Sequence, residues 1–166
     1  MNRTGTGEQS GTIATVATEA ALLQNGYALA VDSRDWDHFR TLFAPDVVAV
    51  YPHGRFDGVD AWLDNFVPIH DEYAWSLHVM STHVTGEDEH GFWATCYGRI
   101  QWIHQDRPTL LNRGEVVYRD RLRQDAGQWL IAQRRLDMVM REPEVPIPPT
   151  AGYPAAVAEL GDRGPI

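Results

Sequence analysis

Asp32 closes an apolar, helix-like stretch, Tyr27 lies five residues before it, and His78 sits between Leu77 and Val79 in a strand-like run. A carboxylate is disfavoured at a helix C-terminus by the macrodipole. Asp32 is therefore expected either to bond the backbone of the next turn or to be held by a partner such as His78 or an arginine. An imidazole, with an ordinary pKa near 6.5, both accepts and returns a proton around neutral pH, and a neighbouring aspartate fixes its tautomer and favours its protonated form. A helix-terminal aspartate and a satisfied structural histidine are the competing readings. Five residues correspond to about 140° around an ideal helix, so Tyr27 and Asp32 reach one pocket only if it is wide or the last turn is distorted. In an unbroken strand His78 shares a face with Ser76, Met80 and Thr82, while His83 falls on the other with Leu77 and Val79. Only one of the two histidines then serves a pocket.

Much other chemistry is excluded by composition. The 14 basic residues are all arginine, which removes lysine Schiff bases, a P-loop lysine and a lysine general base. Cys96 is the only cysteine, so intrachain disulfides and multi-cysteine metal clusters are impossible; within a strand-like run it is expected to be a buried, inert thiol. His38, His53, His70, His90 and His104 form no His-x-His or His-Glu-x-x-His pair, and no metal is expected, although a noncontiguous set of His70, His78 and a carboxylate escapes that test. Neither a dinucleotide-binding nor a P-loop glycine pattern occurs, and no cofactor is expected. With 23 acidic residues and a net charge of −9, the chain is not expected to bind nucleic acid, and Arg119, Arg121 and Arg123 read as a solvated or interface row. No apolar run approaches the roughly 18 residues of a spanning helix, and the first residues lack the core of a signal peptide. A cytoplasmic protein without a membrane segment is the expectation.

At 166 residues the chain suits one domain. Residues 1–17 and 141–166 read as Gly-rich and Pro-rich tails around a body spanning 18–140. In that body, helices are expected over Thr18 to Val31, with Leu22, Leu23, Tyr27, Ala30 and Val31 on the apolar side, over Trp36 to Phe43, capped by Asp35 and stopped by Pro45, and over Val59 to Val67. A short strand, Val47 to Tyr51, precedes a turn at His53 to Gly58. Four long strands follow, Trp75 to Val84, Phe92 to Ile103, Glu115 to Arg123 and Gln128 to Met140, the last two joined by a tight turn at Gly127. Three helices before a run of antiparallel strands is an α+β pattern. Tyr97, Arg99 and Gln101, then Tyr118 and Asp120, then Gln133, Arg135 and Asp137 form polar rows that could line a cavity or a dimer face.

The stretch from Tyr27 to Asp46, the Gly58-Val-Asp-Ala-Trp helix entry, the His78 strand and the run from Gly114 to Arg135 together resemble the SnoaL-like branch of the nuclear transport factor 2-like superfamily over about residues 15–140. The resemblance implies a curved sheet wrapped around helices in a cone-shaped pocket, commonly dimeric and cofactor-free. Tyr27 and Asp32 match a pocket-facing tyrosine and aspartate of the first helix in scytalone dehydratase-like and bile-acid dehydratase-like enzymes, and His78 matches their pocket histidine. Those enzymes carry a second acidic or histidine residue on the following strand; this chain offers Tyr97, Arg99 and Gln101 there.

The implied activity is dehydration, isomerisation or cyclisation of a small, mostly hydrophobic oxygenated molecule of polyketide or steroid type. His78, Asp32 and Tyr27 would be catalytic, and Tyr97, Arg99, Gln101, Trp75 and Tyr118 would bind substrate. Two alternatives are carried: an epoxide hydrolase-like enzyme with Asp32 as base beside Arg99 or Arg135, and a noncatalytic binding protein. Apolar residues on both faces of the final strand, Leu130, Leu136, Met138 and Met140 against Trp129, Ile131 and Val139, predict a homodimer formed back to back through the sheet, with Arg119 or Arg121 at its rim.

Overall fold

Val16, Ala20, Leu23, Tyr27, Ala30 and Val31 recur every three or four residues, and a helix gathers them on one side. In the computed structural model, which describes residues 6–148 and side chains from residue 12, that helix is α1 (Thr6–Ser33), and all six side chains are buried. Leu22, one position and about 100° from Leu23, is instead 62% exposed. The helix begins well before Thr18, so residues 6–17 are helical rather than a tail; residues 1–5 and 149–166 lie outside the described residues.

Helix α2 (Trp36–Thr41) starts where Asp35 Oδ1 accepts the amide of His38 at 2.9 Å, as its capping role predicts. It stops before Phe43, which opens strand β1 (Phe43–Tyr51). Pro45 lies in an irregular stretch of that strand, between Phe43 and Val48, where no ladder amide is needed. Strand β2 (Gly54–Asp57) and helix α3 (Val59–Asp71) follow, and α3 runs through Pro68 to place His70 in its last turn. Four long strands complete the chain: β3 (Tyr73–Asp88), β4 (Gly91–His104), β5 (Leu110–Asp125) and β6 (Gln128–Pro146).

The sheet order is β2-β1-β6-β5-β4-β3, antiparallel throughout except for the β1–β6 pair. The fold is the expected α+β cone, with the helices gathered on one side of the curved sheet. Phe39, Phe43, Trp62, Phe66, Tyr27 and Tyr51 fill its interior through edge and tilted ring contacts at 4.8–6.2 Å.

Register decides which side chains face inward. Cys96 pairs with Tyr118 and Tyr118 with Leu136, so Ala94, Cys96, Gly98 and Ile100 point to the helices together with Tyr118 and Asp120. Tyr97, Arg99, Gln101, Arg135 and Asp137 therefore fall on the outer face, and Tyr97 is 54% exposed. Two extra residues in β6, Ala132 and Val139, break its alternation. Ile131, Arg134, Leu136 and Met138 consequently face inward, and the expected division of that strand into two apolar faces does not hold. Strand β3 is likewise interrupted between Ser81 and Val84, where Thr82 has φ 55°, and the break lets His83 Nδ1 reach Gln24 Oε1 of α1 at 2.7 Å. Gly98 permits close approach of the neighbouring strand: a side-chain carbon there would lie 2.7 Å from the Tyr118 ring. Cys96 is buried, and burial pushes its thiol up to about 12, so it is an inert packing group.

Arg134 is wholly buried and forks onto Asp120 through two 2.8 Å bonds, while Gln24 Nε2 donates to Asp120 Oδ2 at 2.9 Å. Its guanidinium lies over the rings of Tyr27 at 4.4 Å and Tyr118 at 4.9 Å. Removing one partner of such a pair leaves an uncompensated interior charge. Asp120→Ala is expected to lower the unfolding free energy by about 3–5 kcal/mol, read by urea denaturation. A loss below about 1 kcal/mol would show that Arg134 does not depend on Asp120.

Candidate active site

The last turn of α1 carries Asp32 against the start of β3, and the strand's periodicity turns Ser76 and His78 toward it. Asp32 Oδ1 accepts from the Ser76 hydroxyl at 2.9 Å and lies 2.7 Å from His78 Nδ1; Oδ2 accepts the His78 amide at 2.7 Å. Side-chain exposure is 3% for Asp32 and 7% for His78. Three donors thus offset the helix-end dipole that disfavours this carboxylate. The Ser76 hydroxyl also accepts from Arg34 Nη1 at 3.0 Å, which directs its proton to Asp32. An ionised carboxylate can only accept, so His78 carries its proton on Nδ1 and presents Nε2 as a lone pair.

His78 borders a cavity of about 310 Å³ enclosed between the inner face of the sheet, α1 and α3. Its apolar wall includes Phe66, Ile69, Ile100, Leu136 and Met138, and Arg141 stands on its border over the Trp102 ring. At one side Tyr27, Tyr51 and Tyr118 converge. The Tyr27 and Tyr51 hydroxyls are 3.2 Å apart, and the buried Tyr118 hydroxyl has no hydrogen-bond partner. Burial pushes all three phenols above their ordinary range, with Arg134 opposing the shift, so each remains a neutral O–H at physiological pH. One shared bond between Tyr27 and Tyr51 uses a single proton. One proton of that pair and the proton of Tyr118 are left for an oxygen in the cavity.

The structure thus brings His78, Tyr27 and Tyr118 together around one cavity, with Asp32 behind His78. The Tyr27 and His78 rings meet edge to face at 6.0 Å and His78 bonds Asp32, so Tyr27 and Asp32 meet at one site through His78 despite their five-residue helical offset. Tyr97, Arg99, Gln101 and Trp75 do not line the cavity, because they have the opposite strand parity from the inward residues; Arg99 instead pairs with Glu115 at 2.8 Å. Ser76, Tyr51 and His70 were not singled out from sequence as pocket groups. Ser76 was legible as the residue sharing a face with His78, whereas Tyr51 and His70 needed the tertiary arrangement.

Residues 14–135 match the SnoaL-like domain family. The chain belongs to that family. Solved structures with the same nuclear transport factor 2-like fold include a provisionally assigned scytalone dehydratase of Novosphingobium aromaticivorans, at TM-score 0.72 and 16% identity, covering 86% of this chain and 96% of that one. A hexachlorocyclohexane dehydrochlorinase, LinA type 2, aligns at TM-score 0.69 and 13% identity over 87% and 99% of the two chains. ActVI-ORFA of Streptomyces coelicolor aligns at TM-score 0.65 and 16% identity over 75% and 98%. No curated protein matches the sequence significantly. Among the described residues no helix of this SnoaL-like protein is long and apolar enough to cross a membrane, and no group of three histidine, cysteine or acidic side chains is placed to hold a metal ion.

His70 is, with His78 and His53, one of three imidazoles on the cavity wall of the SnoaL-like domain, 7% exposed and tilted against Phe66 at a ring distance of 4.0 Å. Burial, aided by the positive fields of His78, Arg34 and His53, pushes it down to about 3, against the bond its Nδ1 makes to the Phe66 carbonyl. The unfolded chain takes up this proton below about pH 6.5 and the folded chain only near pH 3. Stability is therefore lost as pH falls through that window. His70→Phe should flatten the pH dependence of unfolding free energy between pH 6 and 4 by roughly 1 kcal/mol per pH unit, measured by denaturant titration. An unchanged slope would show that His70 is protonated in the folded state.

Proposed function

We propose that this SnoaL-like protein performs cofactor-independent proton transfer at carbon, as a lyase, isomerase or cyclase acting on a small, mostly hydrophobic oxygenated molecule. The observation that carries the reading is the 2.7 Å contact between Asp32 and His78 Nδ1 in the wall of an otherwise largely apolar cavity. His78 Nε2 removes a proton from a carbon next to a carbonyl, and Asp32 stabilises the imidazolium that results. The electron pair moves onto the carbonyl oxygen, which receives the free hydroxyl protons of Tyr27 or Tyr51 and of Tyr118 above the Arg134 charge. Return of the proton at another carbon gives isomerisation; in dehydration the enolate pair forms the new C=C, the β-hydroxyl leaves with the C–O bonding pair, and it takes the proton from His78 Nε2 to depart as water. Two structural neighbours carry elimination names, a dehydratase and a dehydrochlorinase, which supports this reading. An aspartate base has less support, since Asp32 already accepts three hydrogen bonds and does not line the cavity.

The direct assay is deuterium uptake by 2-tetralone in D2O, followed by proton NMR. Wild-type protein should accelerate α-exchange, and His78→Ala should cut the acceleration about 100-fold or more. Asp32→Asn, which removes the charge that fixes the tautomer, should cost more than about 10-fold. A His78→Ala rate within about 3-fold of wild type in a folded protein would reject the reading.

The outer face supports assembly of the SnoaL-like protein with a second copy. Val79, Tyr97 and Val139 are 51%, 54% and 68% exposed, and they lie beside the ion pairs Arg99–Glu115 and Arg119–Asp137. A two-fold partner would cover this apolar surface and keep the charges at its rim. Leu130 and Leu136, expected on that face, are buried within the protomer. Sedimentation equilibrium at micromolar concentration should return twice 18.7 kDa, and a persistent monomer would reject the dimer.

A further inference from the structure

Two of the three cavity imidazoles, His70 and His78, are fixed for opposite tasks, while the third, His53, lies against Tyr51. His70 Nδ1 lies 2.7 Å from the Phe66 carbonyl, which can only accept, so the ring proton is on Nδ1 and the lone pair is on Nε2. No described residue donates to that Nε2. The ring is clamped by Phe66, Trp36 and Tyr73 at centroid distances of 4.0, 5.9 and 5.4 Å, so it cannot turn to exchange the two nitrogens without disturbing all three. His78 has the same tautomer but a carboxylate behind it, which makes Nε2 a base; His70 has only a backbone carbonyl behind it.

We infer that His70 is a specificity-determining acceptor, whose Nε2 receives the proton of a substrate hydroxyl lying toward α3, at a position separate from the oxygen held by the tyrosines. This rests on the cavity being the substrate site, as proposed above. An ammonium donor is disfavoured there, because Arg34 lies close enough to act on His70 and Arg141 borders the same cavity. A hydroxyl that gives its proton to an acceptor gains electron density on oxygen, which makes it a poorer leaving group. The group bound by His70 is therefore one the reaction retains, and the substrate class is a carbonyl compound bearing an additional hydroxyl that does not leave. Burial keeps the ring unprotonated across physiological pH, so it holds the hydroxyl without competing with His78 for the carbon-bound proton.

The probes are 2-naphthol and 2-methoxynaphthalene, which differ by the one O–H proton. NMR titration of wild-type protein should show 2-naphthol binding about tenfold tighter, the worth of one buried hydrogen bond. His70→Phe, which preserves the ring packing, should reduce the preference to within about twofold. His70→Gln, which keeps an acceptor, should restore part of it, and His78→Gln should leave it in place. Nitrogen-15 spectra of the free protein should show one His70 tautomer, unprotonated at Nε2, from pH 5 to 8. The inference is overturned if the preference follows His78, if wild type has no preference or binds neither probe, or if His70 titrates in that range. Any of these alongside His78-dependent exchange of 2-tetralone would reject the His70 assignment and leave the proton-transfer reading standing. A His70-dependent preference without such exchange would do the reverse.

Discussion

Placing a carboxylate at the C-terminal end of a buried helix sets negative charge against the negative end of a dipole, in a medium that solvates neither. The protein meets this constraint by bringing β3 to Asp32 with a hydroxyl, a backbone amide and an imidazole nitrogen. Helix and strand are thereby joined at one point, and the His78 imidazole is one of the fasteners. The strand must enter at the depth of Ser76 and His78, which sets where its inward side chains lie along α1. The site and the helix–sheet packing are consequently the same interaction.

A second interior charge sits deeper. Arg134 is neutralised by Asp120, whose Oδ2 also accepts from Gln24, and the Gln24 amide oxygen is in turn bonded to His83. This chain runs from the break in β3 to the floor of the cavity and fixes the guanidinium under two phenol rings. Among the polar groups at the cavity are two sets: the one around His78 on β3, and the three tyrosines above a cation. The two sets adjoin where the Tyr27 and His78 rings meet edge to face at 6.0 Å.

The helix order, the antiparallel run and the Asp32, His78 and Tyr27 set were legible because each depends on local periodicity or on one family pattern. The side on which a strand's polar row falls was not. Tyr97, Arg99 and Gln101 have the regular spacing of a pocket lining, but their facing is fixed by pairing with β5, where Tyr118 turns inward opposite Cys96. The strand-end interruptions at Thr82 and Ala132 likewise leave no period of their own, and each moves a titratable side chain, His83 or Arg134, to a face that uninterrupted alternation denies it. From sequence His70 reads only as a conceivable metal ligand, because the third helix is expected to end at Val67, whereas α3 continues through Pro68 to Asp71 and carries His70 to the cavity.

Two of the three extra residues of β6 also have a meaning as length. Ala132 and Val139 have no partners in β5, so between the same two flanking pairs β6 traverses a longer path than its neighbour. Each surplus residue adds roughly 3.3 Å of contour that a flat ladder cannot absorb, and the strand takes it up by bending. The hollow beneath Leu136 and Met138 is in this sense a difference in arc length between adjacent strands. Its dimensions are written in how many residues β6 has rather than in which residues they are.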